Sequence, residues 1–424
     1  MALLDDDRFA RNFIGGDWAL SREGYELDVQ DPREGTSLLD VPRSSRRDVA
    51  RAVEVGVDGA RAWRRLGPSA QRARLRDAVG RLEGKRSLLA QVLVLDTGMP
   101  PDAAEAAVAR LIVAARRTIE ATPVPGEGPT SRADGPRLFA HLPAASALPA
   151  VLLEPLADLL AGRAVLLKGP EAAPLSAVVL GMCLEGLPRG SFGLVQGVDG
   201  DSASQLAALP GVDALRYHGG RALAATVLRA AASTLKPVLL RTYGPRRLVV
   251  LEGAALREVA TAVREELRHR AASPYAGGWV VHVGPSQGAP MRELLAAAIG
   301  ALDPARSASA LQPLPDESSL RRAEALVSQA ERDGYRRWVG GEAGRRARGY
   351  YLAPALLEGP DPTSRLLALD RPAPLVFLHV VHDLEEVPRT APACAAPTTH
   401  WGPDGARELP PESLDLRLSG QSGT

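Results

Sequence analysis

The sequence predicts an α/β protein of more than one structural unit, and three observations carry that prediction. At 424 residues the chain is longer than one compact domain of roughly 100 to 200 residues. Hydrophobic residues at 45% and charged residues at 24% match a soluble globular chain. Beyond residue 136, short apolar runs alternate with helical segments, the spacing of βαβ units and therefore of a parallel sheet.

Before that point the chain reads as mostly helical. Phe13 to Trp18 is a short strand-like opening with Gly15-Gly16 at its turn, and Asp31-Pro32-Arg33-Glu34-Gly35 leads on to Ser44-Ser45. Ser45 stands three residues before Asp48, the spacing of a helix N-cap with an acidic first turn, so a helix is expected to begin there. Apolar residues recur at helical spacing from Val49 to Trp63, and a second amphipathic stretch follows Pro68 through Leu82. Arg86 to Leu95 and Ala103 to Ala121 read as two more helices flanking Asp96-Thr97-Gly98-Met99-Pro100. Thr122 to Pro136, rich in Pro, Gly and Ser, punctuates the chain. Strands are then expected at Ala164 to Leu167, Phe192 to Val195, Ala214 to Tyr217, Val238 to Leu240 and Leu248 to Leu251. Helices are expected at Leu148 to Leu160, Leu175 to Leu184, Ser202 to Ala208 and Arg221 to Ala232. A further α/β block runs from about Leu256 to Leu378, and the Pro-rich stretch from Thr390 shows little periodicity.

Charge and cysteine usage narrow the function classes. Lys+Arg 51 against Asp+Glu 50 leaves +1, no broad basic field to attract nucleic acid or an anionic membrane. Asp5, Asp6 and Asp7 stand where a secretory signal would need positive charge, and no apolar run of about 18 residues occurs, so a cytoplasmic protein is expected. Cys183 and Cys394 form no CxxC and no Cys/His cluster, so neither a disulfide scaffold nor a metal site is expected.

No GxGxxG and no Walker A sequence is present. His379 and His382 would point to opposite faces of a strand, which favours a structural role. Gly284-Pro285-Ser286-Gln287-Gly288 fits G-x-S-x-G between a strand and a helix, which opens a Ser286 hydrolase as one alternative. Pro285 and the ordinary turn preference for Gly, Pro and Ser weigh against it. Lys168 ends an apolar strand and precedes Gly169-Pro170-Glu171, at the carboxyl edge where open α/β sheets bind ligands. The chain has three lysines, Lys85, Lys168 and Lys236, leaving 48 of its 51 basic residues as arginine, so a lysine at this edge suits a compact ammonium contact.

Six segments, in order, resemble the aldehyde dehydrogenase superfamily. Phe13-Ile14-Gly15-Gly16-Asp17-Trp18 is similar to F-I-[NG]-G-x-W, Asp31-Pro32-x-x-Gly35 to N-P-x-T-G, and Leu95 through Pro100 to L-D-T-G-K-P. Leu167-Lys168-Gly169-Pro170-Glu171-x-x-Pro174-Leu175 resembles L-K-P-S-E-x-[TS]-P-L, Leu187-Pro188-x-Gly190 resembles L-P-x-G, and Gly349 through Leu356 resembles G-[YF]-[YF]-x-x-P-T-[VL]. The resemblance implies a Rossmann-type cofactor domain over 1–250, with a helical segment over 1–121 and a reduced oligomerisation arm over 122–136. An α/β catalytic-type domain over 251–385 and a tail over 386–424 follow. It implies NAD or NADP as cofactor, with Lys168 and Glu171 at the adenosine ribose and Gly219 beside the pyrophosphate.

The same resemblance shows departures at the chemistry. The family's Q-x-C falls on Ser273-Pro274-Tyr275, replacing the thiol nucleophile with a phenol of pKa about 10. E-L-G-G-K-S-P falls on Arg241 through Arg247, placing Arg241, 34 residues before Tyr275, where a carboxylate should activate water. P-W-N-F-P falls on Pro143 through Ala147, so Ala145 replaces an oxyanion donor, typically worth about 100- to 1,000-fold in rate. F-T-G-S becomes Tyr217-His218-Gly219-Gly220, and Asp370 stands in for the nicotinamide-ribose glutamate. The expectation is a pseudoenzyme without catalytic residues of the usual kind, holding NAD or NADP weakly, whose partner is an active aldehyde dehydrogenase subunit or a second copy of itself. The alternatives are an active oxidoreductase using nonstandard residues and the Ser286 hydrolase.

Overall fold

A computed structural model describes residues 2–121, 137–145, 152–242, 244–268, 278–302, 311–343, 348–359, 361–362, 364–367, 373–384, 387, 398–403 and 405–409. β1 (Asn12–Ile14) and β2 (Asp17–Ala19) form a hairpin closed by Gly15 (φ 65°) and Gly16 (φ 87°). Both glycines lie in the left-handed region that a two-residue hairpin turn of this kind demands. β3 (Glu26–Asp31) and β4 (Thr36–Pro42) make a separate antiparallel pair.

The helical segment follows from local sequence. α1 (Arg46–Arg65) starts at a complete capping box, in which the Ser45 hydroxyl accepts from the Asp48 N–H and Asp48 accepts from the Ser45 N–H at 2.9 Å. Two N–H groups that the first turn cannot pair internally are thereby satisfied. Its Val49, Val53, Ala60 and Trp63 are buried. α2 (Gly67–Gly84), α3 (Arg86–Thr97) and α4 (Pro101–Ala121) complete this segment. α3 ends at Gly98 with φ 68°, the left-handed C-cap that glycine adopts without cost.

The first sheet continues through β5 (Leu138–Pro143), α5 (Leu153–Leu160), β6 (Ala164–Lys168), α6 (Leu175–Leu184), β7 (Phe192–Val195), α7 (Asp199–Ala208), β8 (Ala214–Gly219), α8 (Arg221–Ala232) and β9 (Val238–Thr242). Its order is β2-β1-β7-β6-β5-β8-β9, with β5 to β9 parallel and β1 antiparallel to β7. β5, β6 and β7 are buried along their whole length, which is why β6 and β7 read as continuous apolar runs. From β5 the chain winds through β6 to β7, then returns to the other side of β5 for β8 and β9. That reversal makes a topological switch point between β5 and β8.

The second sheet contains β10 (Arg246–Val250), β11 (Trp279–Val283), β12 (Arg336–Val339), β13 (Ala355–Glu358), β14 (Leu375–Val380), β15 (Thr398–Gly402) and β16 (Gly405–Leu409), in the order β12-β13-β14-β11-β10-β15-β16. α9 (Leu256–Arg268) and α10 (Pro285–Gly300) supply Val259, Val263, Met291 and Leu295 to a core on one face, and α11 (Glu317–Arg332) supplies Ala323 and Val327 to a core on the other.

Two expected boundaries move. The second sheet begins with Arg246, not after residue 250, because β10 pairs with β11 and not with β9. Residues 398–409, expected within an aperiodic tail, form β15 and β16, since β15 pairs in parallel with β10. The expected arm, 122–136, lies outside the described residues. Among the described residues no helix is long and apolar enough to cross a membrane.

Candidate nucleotide cleft

The carboxyl ends of β5, β6 and β8 meet at a small cleft lined by Leu142, Pro143, Lys168, Asp199, Tyr217 and His218 among others. It sits at the switch point, where an open parallel sheet leaves a crevice for ligands. The Ala144 N–H donates to the His218 carbonyl at 2.9 Å, closing the sheet end between β5 and β8.

Lys168, the last residue of β6, is 1% exposed, and its ammonium is ion-paired with the Asp199 carboxylate. The same carboxylate oxygen accepts from the Glu171 N–H at 3.0 Å. In the other direction the Asp199 N–H donates to the Glu171 carboxylate at 2.8 Å. α7 has no side-chain cap of its own, so Glu171 caps it from the neighbouring loop. Lys168 and Glu171, both expected at the ribose, are thus brought together, but through Asp199, which sequence reasoning did not single out.

Gly219, the third expected cofactor residue, ends β8 two strands away from Lys168. A Cβ there would lie 2.4 Å from the Tyr217 hydroxyl, which itself donates to the Gly220 carbonyl at 2.8 Å. A side chain at Gly219 would therefore meet the chain's own Tyr217. As folded, the ammonium and the carboxylate of the cradle are both engaged internally, so a nucleotide would have to displace those contacts to bind there.

A second polar cluster gathers around Glu154, reaching the cleft through His218. His218 Nε2 is 2.8 Å from Glu154 on α5, and the Arg241 guanidinium on β9 lies 3.1 Å from the other oxygen of that carboxylate. Burial opposes ionisation of Glu154, but the hydrogen bond from His218 and the charges of His218 and Arg241 outweigh it and lower its pKa. One turn further along α5, buried Asp158 accepts from His141 (2.9 Å), Arg163 (2.7 Å) and Arg216 (2.5 Å). Burial opposes its ionisation too, yet the bonds from His141 and Arg216 hold its carboxyl well below the usual range.

Two motif positions have structural duties. Asp96 accepts from the Leu175 N–H (3.1 Å), the Ser176 N–H (2.6 Å) and the Ser176 hydroxyl (2.6 Å), which caps α6 directly behind the Lys168 loop. Ala145 packs its methyl into the core of the first unit. Cys183 is buried in α6, and burial pushes its thiol up to about 11, which leaves no nucleophilic thiolate there. Ser286 is exposed in the first turn of α10, which starts with Pro285 behind Gly284, an ordinary strand-to-helix turn. His282 and His379 are fully buried in neighbouring strands, and neither ring nitrogen of His282 has a hydrogen-bond partner among the described residues. Tyr275, Asp370 and Cys394 lie outside the described residues.

Two α/β units, the first carrying a cleft at its switch point, make up the described fold. The chain belongs to the aldehyde dehydrogenase family, whose sequence model matches residues 18–135 and 148–395. It is 27% identical over 380 residues to fluoroacetaldehyde dehydrogenase of Streptantibioticus cattleyicolor, spanning 82% of this chain and 73% of that one. It is 30% identical over 269 residues to betaine aldehyde dehydrogenase 1 of Oryza sativa subsp. japonica, spanning 57% and 52%. Lactaldehyde dehydrogenase from Escherichia coli superposes with a TM-score of 0.80 at 21% identity over 90% of this chain and 83% of that one. Aldehyde dehydrogenase C from Pseudomonas syringae, solved with NAD+ and octanal, gives 0.79 at 22% identity over 90% and 82%.

Proposed function

We propose that this chain is an aldehyde dehydrogenase homologue without the cysteine mechanism, acting in the cytoplasm as a non-catalytic or regulatory partner of an active dehydrogenase subunit or of a second copy of itself. The observation that carries the reading is Arg241. It occupies the position that the resemblance gives to the water-activating carboxylate, and its guanidinium is paired with Glu154. Arginine holds its charge throughout the accessible pH range and cannot accept a proton. Tyr275 in place of the thiol and Ala145 in place of the oxyanion donor support the same reading, because residues that act as a catalytic unit are not replaced singly. NAD or NADP is held weakly in this reading.

The test is reduced-cofactor formation from NAD or NADP with short aliphatic and aromatic aldehydes. The expected rate equals that without protein. Robust turnover abolished by Tyr275→Phe would overturn the proposal. One observation favours a second reading, an active oxidoreductase using nonstandard residues: His218 stands in the cleft with its imidazole held by a carboxylate, as a general acid or base requires. Turnover lost in His218→Gln but retained in Tyr275→Phe would select it.

A further inference from the structure

We infer that Asp199 is a built-in occupant of the nucleotide cradle, competing with an adenosine nucleotide for Lys168 and Glu171. The inference rests on the cradle reading above and adds an internal competitor to it. Lys168 is all but inaccessible, whereas the Asp199 side chain is 31% exposed, so Asp199 forms the wall between the ammonium and solvent. It engages both cradle residues at once: its carboxylate takes the Lys168 ammonium and the Glu171 N–H, while its own N–H takes the Glu171 carboxylate.

The position suits a lasting occupant. Asp199 is the first residue of a ten-residue helix, where the unpaired N–H groups and the helix dipole favour a negative charge. A ribose offers hydroxyls, each both donor and acceptor, but no charge to match a carboxylate against an ammonium. To be held it must displace a charge-assisted contact with neutral ones, and charge-assisted hydrogen bonds are roughly twice as strong. The phosphates that follow add repulsion from the same carboxylate. Removing the Asp199 side chain therefore raises affinity, an outcome that misfolding cannot imitate.

The experiment is calorimetric titration of the full chain with NAD, ADP-ribose and AMP, for wild type, Asp199→Ala, Asp199→Asn, Lys168→Ala and Asp199→Ala/Lys168→Ala, each checked for folding by circular dichroism. Asp199→Ala is expected to bind all three about tenfold to a hundredfold more tightly than wild type, the range that releasing one charge-assisted hydrogen bond gives. Asp199→Asn, which keeps the shape and removes the charge, is expected to gain less, and it serves if the alanine variant does not fold. The double variant is expected to lose the gain. Wild-type binding that is lost in Lys168→Ala but unchanged in both Asp199 variants would overturn the inference and leave the cradle reading standing. No heat from any folded variant would overturn both.

Discussion

Acid should undo the second unit through two histidines. His282 on β11 and His379 on β14 are register partners, stacked with ring centroids 5.6 Å apart, and both are 0% exposed. Burial pushes His282 down to about 3, helped by the charges of His379 and Arg247. It pushes His379 down to about 4, against a smaller upward pull from the Gly359 backbone and Asp361. Tyr335 meets the His379 ring edge-on. In the unfolded chain both imidazoles return to about 6.5. Below that pH the unfolded state takes up two protons that the native state refuses, so stability falls as pH drops from about 6.5 toward 4. Between pH 6 and pH 5 the pair costs about 2.5 kcal/mol, a large share of a total stability of about 5–15 kcal/mol. Urea unfolding at pH 6 and 5 measures it. His282→Leu/His379→Leu is expected to remove about 2.5 kcal/mol of the wild-type loss, because apolar groups of similar size replace nitrogens that bind no proton in the fold. An unchanged pH slope in the double variant would refute the argument.

Two further outcomes follow from packing. Asp158→Asn leaves Arg163, Arg216 and His141 around a neutral amide, and differential scanning calorimetry should show a loss of about 3–5 kcal/mol, as for other broken buried pairs. Gly59→Ala would put a Cβ 1.9 Å from the Gly190 carbonyl carbon, so α1 must move off that loop, and a destabilisation of about 1–3 kcal/mol in the same assay is expected.

Local signals were legible where a few consecutive residues determine the outcome. The Ser45–Asp48 box, the Gly15-Gly16 turn and the alternation from Ala164 onward each became the element they imply. β5 escaped notice because His141 and Pro143 interrupt its apolar run; inside the sheet the imidazole is satisfied by Asp158, 17 residues away. β15 reads as polar loop, Thr-Thr-His-Trp, and becomes a strand only because β10 offers it an edge about 150 residues earlier in the chain. Asp199 was invisible for the same reason. Gly-Val-Asp-Gly reads as a turn into a helix, and nothing nearby says that the carboxylate turns back to a lysine 31 residues earlier. One signal was available: Lys168, Asp199, His218 and Arg241 all fall at or just after the carboxyl ends of successive strands, the edge where such sheets place their chemistry.

These four residues are all paired within the fold. A working site keeps some charges incompletely matched, so that substrate or cofactor completes them, and the fold bears the cost in stability. Here Lys168 is matched by Asp199, Arg241 and His218 by Glu154, and Arg216 by Asp158. Each pair removes a group that a bound anion would otherwise meet, and each joins elements that the sheet alone leaves apart: β6 to α7, and α5 to β8 and β9. In the proposed reading, such contacts add cohesion and compete with a bound nucleotide at once. Asp199→Ala separates the two effects, since it should weaken the fold while strengthening the nucleotide contact, and opposite signs from one substitution are what internal competition requires.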